Sequence, residues 1–187
     1  MLKVSDRLVY PVQVAGKKKY LTDRNTLGDG VTDDTAAINA AISAGGRNGP
    51  SSGQTTTTTP AIVYFPAGTY IVSTSIIDYY FTQLIGNPNS PATLKATSGF
   101  VGLGVIDGDQ YQSSGNQGWG STNVFYRQIR NLVIDLTSIP ASSAATGIHW
   151  PTAQATSIQN VVIHMSQASG TQHQGIFIEN GKNALDI

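Results

Sequence analysis

The chain has no cysteine, a single glutamate (Glu179) and little charge of either sign. Without cysteine there is no disulfide framework, no thiol nucleophile and no cysteine-based zinc site. Charged residues make up 12% of the 187, about half the share of an ordinary soluble domain. Eleven basic residues balance eleven acidic ones, so nothing presents a nucleic acid or another polyanion with a complementary surface. The one basic cluster, Lys17 to Lys19, reads as a solvated turn. No stretch approaches the roughly 20 apolar residues of a membrane span. The opening MLKVSDRLVY lacks the apolar centre of a signal peptide. Gly28-Asp29-Gly30 has neither the lysine nor the preceding strand of a phosphate loop. His149, His164 and His173 lack close ligand spacing. Neither a cofactor nor a metal is expected.

What is present is a β-protein in the making. Hydrophobic residues account for 40%, enough for a core in a chain of one-domain length. The rest is dominated by Ser, Thr, Asn, Gln and Gly, a surface suited to neutral hydroxyl-rich ligands. Residues 1–27 alternate weakly and predict one or two short strands joined at Gly16. The segment Gly28-Asp29-Gly30-Val31-Thr32-Asp33-Asp34-Thr35 predicts a tight turn followed by a helix of about ten residues. Thr32 or Asp33 is its expected N-cap, the adjacent aspartates sit where the helix dipole favours negative charge, and Gly45-Gly46 is its stop. Residues 47–60 read as a loop. Beyond it lie short β-branched runs at Ile62–Phe65, Thr69–Val72, Gln83–Ile85, Val105–Ile106, Ile129–Leu136, Ile158–Met165 and Gly175–Ile178, parted by Gly, Asn, Ser and Pro.

Two of these runs repeat. Ile129-Arg130-Asn131-Leu132-Val133-Ile134 matches Ile158-Gln159-Asn160-Val161-Val162-Ile163 at an offset of 29, and Gly147-Ile148-His149-Trp150 matches Gly175-Ile176-Phe177-Ile178 at 28. A helix-free repeat of that length fits one turn of a β-solenoid, in which each strand pairs with its counterpart one turn along. Asn131 and Asn160 would then stack in one column. A β-sandwich would also give short strands, and periodicity alone leaves that alternative open.

The pairing of GDGVTDDTAAINAAI (28–42) with IVYFPAGTYIV (62–72) resembles the opening of the pectate-lyase-like β-helix superfamily, where the helix caps the solenoid. YYFTQLIGNP, FYRQIRNLVIDLT, ATGIHWPTAQATSIQNVVI and ASGTQHQGIFIENG look like consecutive stretches of fungal glycoside hydrolase family 55, the β-1,3-glucanases or laminarinases. The likeness covers roughly residues 28–181. It implies an all-β chain, a right-handed parallel β-helix with one short N-terminal capping helix, with residues 1–27 as N-terminal strands or cap and 28–187 as a partial β-helix domain. In that family two tandem β-helix domains hold the glucan between them and cleave β-1,3-glucan from the non-reducing end with inversion, outside the cell. This chain resembles the first part of the first domain. Residues 17–22 and 182–187 depart from the family pattern, as does the absence of cysteine around Asn48 and Gly53. These departures suggest a truncated or engineered form.

Inverting hydrolysis needs a carboxylic acid for the leaving oxygen and a group that holds water on the opposite face. Asp29, Asp33 and Asp34 are accounted for by the turn and helix start, Asp107 and Asp109 lie in a Gly-flanked turn, and Asp135 ends a strand, so no pair stands out. The resemblance places the general acid in the second domain, outside this chain. It assigns Gln174 to positioning the attacking water, together with a serine beyond Ile187. A neutral amide orients water without taking its proton. His149 and Trp150 are candidates to line a sugar site, with His173 and Glu179 as further hydroxyl-binding candidates; Trp119 and Tyr111, in a Gly/Ser/Gln-rich loop, are others. The expected partners are β-1,3-glucan or a related polysaccharide, and either the missing second domain or another copy docking on an exposed solenoid end. A catalytically silent scaffold and a polysaccharide lyase or tailspike-like enzyme are the rival readings.

Overall fold

The computed structural model describes residues 26–50, 58–119, 124–151 and 155–179, together with the strands at 12–14, 17–19 and 185–186. Gly16, most of the threonine run and the segment 180–184 lie outside the described residues. Strands β1 (Val12–Val14) and β2 (Lys17–Lys19) form an antiparallel hairpin. The lysine cluster is therefore a strand rather than a turn: pairing Val14 with Lys17 leaves only two residues for the connection.

The helix arrives where the sequence puts it. After β3 (Asp29–Asp33), α1 runs over Thr35–Ser43 and buries Ile38, Ala41 and Ile42. Its N-cap is Asp34, not Thr32 or Asp33. The Asp34 carboxylate turns back to accept the Leu27 and Gly28 amides (2.8 and 3.1 Å), closing the glycine turn. Asp33 takes over part of the capping by accepting the Thr35 amide at 3.0 Å. Asn39, half-buried on the helix, pairs with the backbone at residues 75–77 as a strand would: its amide donates to the Ser75 carbonyl and its carbonyl accepts from the Ile77 amide. The helix thus satisfies backbone groups that would otherwise end a sheet unpaired.

The remaining strands are β4 (Ala61–Phe65), β5 (Thr69–Ile77), β6 (Thr82–Gly86), β7 (Ala92–Asp107), β8 (Gln128–Asp135), β9 (Ala145–Trp150), β10 (Thr156–His164), β11 (His173–Ile178) and β12 (Leu185–Asp186). Every pairing among them is parallel. The chain is a parallel β-helix, and the register resolves three faces. One face stacks β4, β6 and the starts of β8 and β10. A second stacks the start of β5, the start of β7 and the later halves of β8 and β10. The third stacks the ends of β5 and β7 with β9 and β11.

Both sequence repeats are rung-to-rung registers. Ile129 to Ile134 pair with Ile158 to Ile163, and Ile148, His149 and Trp150 pair with Ile176, Phe177 and Ile178. Asn131 and Asn160 stand at φ 56° and 52°, the left-handed corner between the first two faces. Asn160 Nδ2 donates to Asn131 Oδ1 at 2.9 Å, and Asn131 Nδ2 donates to the Gly86 carbonyl at 3.2 Å. Phe65, Leu84, Leu94, Ile106, Ile129, Leu132, Ile134 and Ile148 fill the tube. β7 is longer than the short run seen in the sequence because it bends through two faces, its register shifting opposite Thr74. The stretch between the two halves, residues 97–103, is largely exposed, Val101 and Leu103 included, and carries no apolar alternation to mark it.

Candidate functional site

On the third face successive side chains alternate between the tube and the outside. Ile106, Ile148 and Ile176 point to the core, so Asp107, His149 and Phe177 form one outward column across three rungs. His149 is nonetheless 0% exposed, because the loop after β7 folds over it. Tyr111 of that loop stacks on one face of the imidazole (centroids 5.9 Å, planes 21° apart) and Phe177 on the other (5.6 Å, 21°). Each ring edge meets a carboxylate: Nδ1 lies 2.8 Å from Asp107 Oδ1 and Nε2 lies 2.6 Å from Glu179 Oε1. Tyr111 donates its hydroxyl to Glu179 Oε2 at 2.8 Å.

A carboxylate stands at each imidazole nitrogen, an arrangement that favours the doubly protonated ring. Burial opposes that charge, but the hydrogen bonds to and attraction of Asp107 and Glu179 outweigh it and raise the His149 pKa above 6.5. The Tyr111 phenol is raised too, chiefly because Glu179 accepts its proton in a hydrogen bond. Glu179 is the member of the cluster that faces water (side chain 21% exposed).

The other candidates lie elsewhere. Gln174 is exposed on β11, in register with Thr146 and on the side of the strand shared with Ile176. Five residues separate it from Glu179, about 16 Å along a strand. His173 staples two turns: Nδ1 accepts the Ser166 amide at 3.0 Å and Nε2 faces the Pro140 carbonyl at 3.3 Å. Trp150 is fully enclosed in the core, with the Arg127 guanidinium 5.9 Å from its ring. Its faces are taken by protein. Trp119 is also buried, beneath Arg127 (5.0 Å) and edge-on to Tyr79 (5.7 Å). The structure therefore brings together His149, Glu179 and Tyr111 and leaves Gln174 apart. Asp107 is the member that sequence reasoning missed. Ile106-Asp107 occupies the same step as Ile148-His149 and Ile176-Phe177 one rung earlier, but it lies 42 residues before Ile148-His149 because the loop after β7 lengthens that rung, so the 28-residue spacing does not reach it.

Other carboxylates among the described residues have structural partners. Asp29 accepts the Val31 and Thr32 amides, Asp135 accepts the Thr137 amide and hydroxyl, and Asp109 accepts the Trp119 amide. Asp78 is buried 3.9 Å from Arg127 Nε. Among the described residues no three or more His, Cys, Asp and Glu side chains are grouped to hold a metal ion, and no helix is long and apolar enough to cross a membrane.

Comparison with known proteins places this architecture. A glucan 1,3-beta-glucosidase of Cochliobolus carbonum is 53% identical over 174 residues, covering 90% of this chain and 22% of that protein. A non-secreted LysM effector, LysM15, of Penicillium expansum is 51% identical over 84% of this chain and 11% of its own length. A probable glucan endo-1,3-beta-glucosidase of Arthroderma benhamiae is 47% identical over 91% and 20%. The chain thus spans about a fifth or less of the length of these curated relatives. Among solved structures, the surface adhesin PfbA of Streptococcus pneumoniae superposes with a TM-score of 0.53 at 20% identity, over 86% of this chain and 37% of that one, a likeness of fold. The family described as rhamnogalacturonase A/epimerase, pectate lyase-like, matches residues 21–186, and with its stacked parallel rungs and capping helix the chain belongs to that pectate-lyase-like family.

Proposed function

We propose that this chain is part of an inverting exo-β-1,3-glucan hydrolase and carries the glucan-binding and water-positioning side of its site. The observation that carries the reading is the 53% identity with a glucan 1,3-beta-glucosidase across nearly the whole chain. The charge-poor, hydroxyl- and amide-rich surface supports a neutral polysaccharide as substrate. Gln174, exposed on the last fully described rung, is the water-positioning group. Glu179 is the sugar-binding acceptor and the buried His149 holds it, while Trp150 in the core and His173 between two turns keep the rungs in place.

The general acid lies outside these residues. Each described carboxylate is engaged in a turn, an ion pair or the His149 cluster, and none stands opposite Gln174 as a free acid. The natural protein acts outside the cell. Its partner surface includes the exposed Val162, Met165 and Ile178 on the last described rungs, which a further β-helix domain or another copy of the chain covers.

Incubating the purified chain with laminarin tests the reading. No glucose release is expected from the chain alone, together with measurable binding of laminari-oligosaccharides. Robust turnover would mean that Glu179 or an aspartate of this chain supplies the acid. The description of the matching family keeps one rival in play, a polysaccharide lyase or hydrolase acting on acidic sugars. Degradation of polygalacturonate with Ca²⁺, and no affinity for laminarin, would favour it.

A further inference from the structure

Glu179 is held from two sides by residues far away in the chain. His149, 30 residues earlier, donates to Oε1, and Tyr111, 68 residues earlier, donates to Oε2. Each carboxylate oxygen keeps a second lone pair, and the Glu179 side chain is 21% exposed, so a ligand can reach it. With both oxygens pinned the carboxylate cannot rotate, so its two free acceptor positions are fixed in direction. Two acceptors fixed in this way match a pair of adjacent hydroxyls on one neutral sugar ring, and preorganisation lowers the ordering cost of binding them.

We infer that Asp107 and Tyr111 are positioning residues which, with His149 as the link, hold Glu179 as an oriented acceptor for two hydroxyls of a neutral glucan unit. The inference rests on the proposed reading of Glu179 as a substrate-binding residue. Asp107 fixes the ring by accepting from Nδ1 and supplies the charge that stabilises an imidazolium beside Glu179. With asparagine at 107 the imidazolium loses that compensation. The neutral ring can then accept the asparagine amide at Nδ1 and keep its proton on Nε2, but it holds Glu179 only through an uncharged, weaker hydrogen bond. Tyr111 supplies the second restraint and, by stacking, keeps water from the ring.

The charged and titratable neighbours are few among the described residues. Asp107 of β7 and Glu179 after β11 touch the ring, Tyr111 covers it, Asp109 lies near Tyr111 and Arg127 lies near Asp107. The oriented state therefore persists as pH rises past 6.5 and is lost when His149 gives up its proton.

The test is laminaritriose binding to the whole chain by calorimetry across pH, alongside the His149 ring-nitrogen shifts by NMR. Affinity is expected to fall in step with the His149 titration. Tyr111→Phe should weaken binding about 3- to 10-fold with the melting temperature nearly unchanged, and Asp107→Asn should move the His149 titration and the binding profile to lower pH together. Binding that ignores Tyr111→Phe, or that does not follow the His149 titration, overturns the positioning role. No laminaritriose binding at any pH overturns instead the reading of Glu179 as a sugar ligand.

Discussion

Replacing Asn131 tests the stacked-rung architecture at a single residue. Asn131 sits at φ 56° and makes two side-chain hydrogen bonds, one down to the Gly86 carbonyl and one from Asn160 above. Alanine at this position loses both. The half-buried bond to Gly86 contributes about 1 kcal/mol and the exposed one to Asn160 about 0.5 kcal/mol. Alanine also occupies the left-handed region at a cost of about 1–2 kcal/mol. The sum is about 3 kcal/mol. Glycine loses the same two bonds but has no such backbone cost, so Asn131→Gly should lose only about 1.5 kcal/mol. For a chain of this size each kcal/mol lowers the melting temperature by about 2–4 °C. Asn131→Ala should therefore melt roughly 6–12 °C below the parent and Asn131→Gly roughly 3–6 °C below. Urea unfolding followed by circular dichroism, with equal slopes in denaturant, provides the free energies. If alanine is tolerated as well as glycine, the corner does not adopt the left-handed conformation and the rung register is wrong.

Three further substitutions probe the tube and its buried charge. A Cβ on Gly86 would lie 2.0 Å from the Asn131 carbonyl oxygen, whereas one on Gly99 meets nothing within 4 Å. Gly86→Ala should thus cost about 3 kcal/mol and Gly99→Ala almost nothing, measured by the same urea titration. Burial pushes the Asp78 carboxyl up to about 7, with Arg127 and Arg47 pulling against it. A raised carboxyl stabilises the fold below the unfolded pKa near 3.8, and that contribution is lost as pH climbs toward 7. Relative to Asp78→Asn, the parent should lose stability between pH 4 and 7. A parallel dependence in both proteins would refute the buried titration.

Periodicity in this chain converts directly into register because identical rungs pair strand on strand, so the 29- and 28-residue offsets were legible before any coordinates. The capping helix was legible too, from the glycine turn and its alanine-rich run, and only its exact N-cap moved by a residue. β7 was read only at its apolar end, since a strand bent across two faces loses its alternation at the bend. Lys17–Lys19 misled because a run of charge does not specify backbone conformation, and lysine is compatible with an edge strand.

The sequence by itself determined the 29- and 28-residue offsets that bring Asn131 to Asn160 and His149 to Phe177, but it left a β-sandwich open, and the parallel pairing of the strands decided for the solenoid. Only the tertiary structure decided which way the residues of β9 point. All six are buried, so hydrophobicity does not separate tube from exterior, and Trp150 went into the core while His149 went out beneath the Tyr111 loop. The enclosure of one imidazole between Asp107 and Glu179 was likewise decided in space. It depends on a loop of irregular length folding back across two rungs, and no repeat in the sequence encodes where such a loop lands.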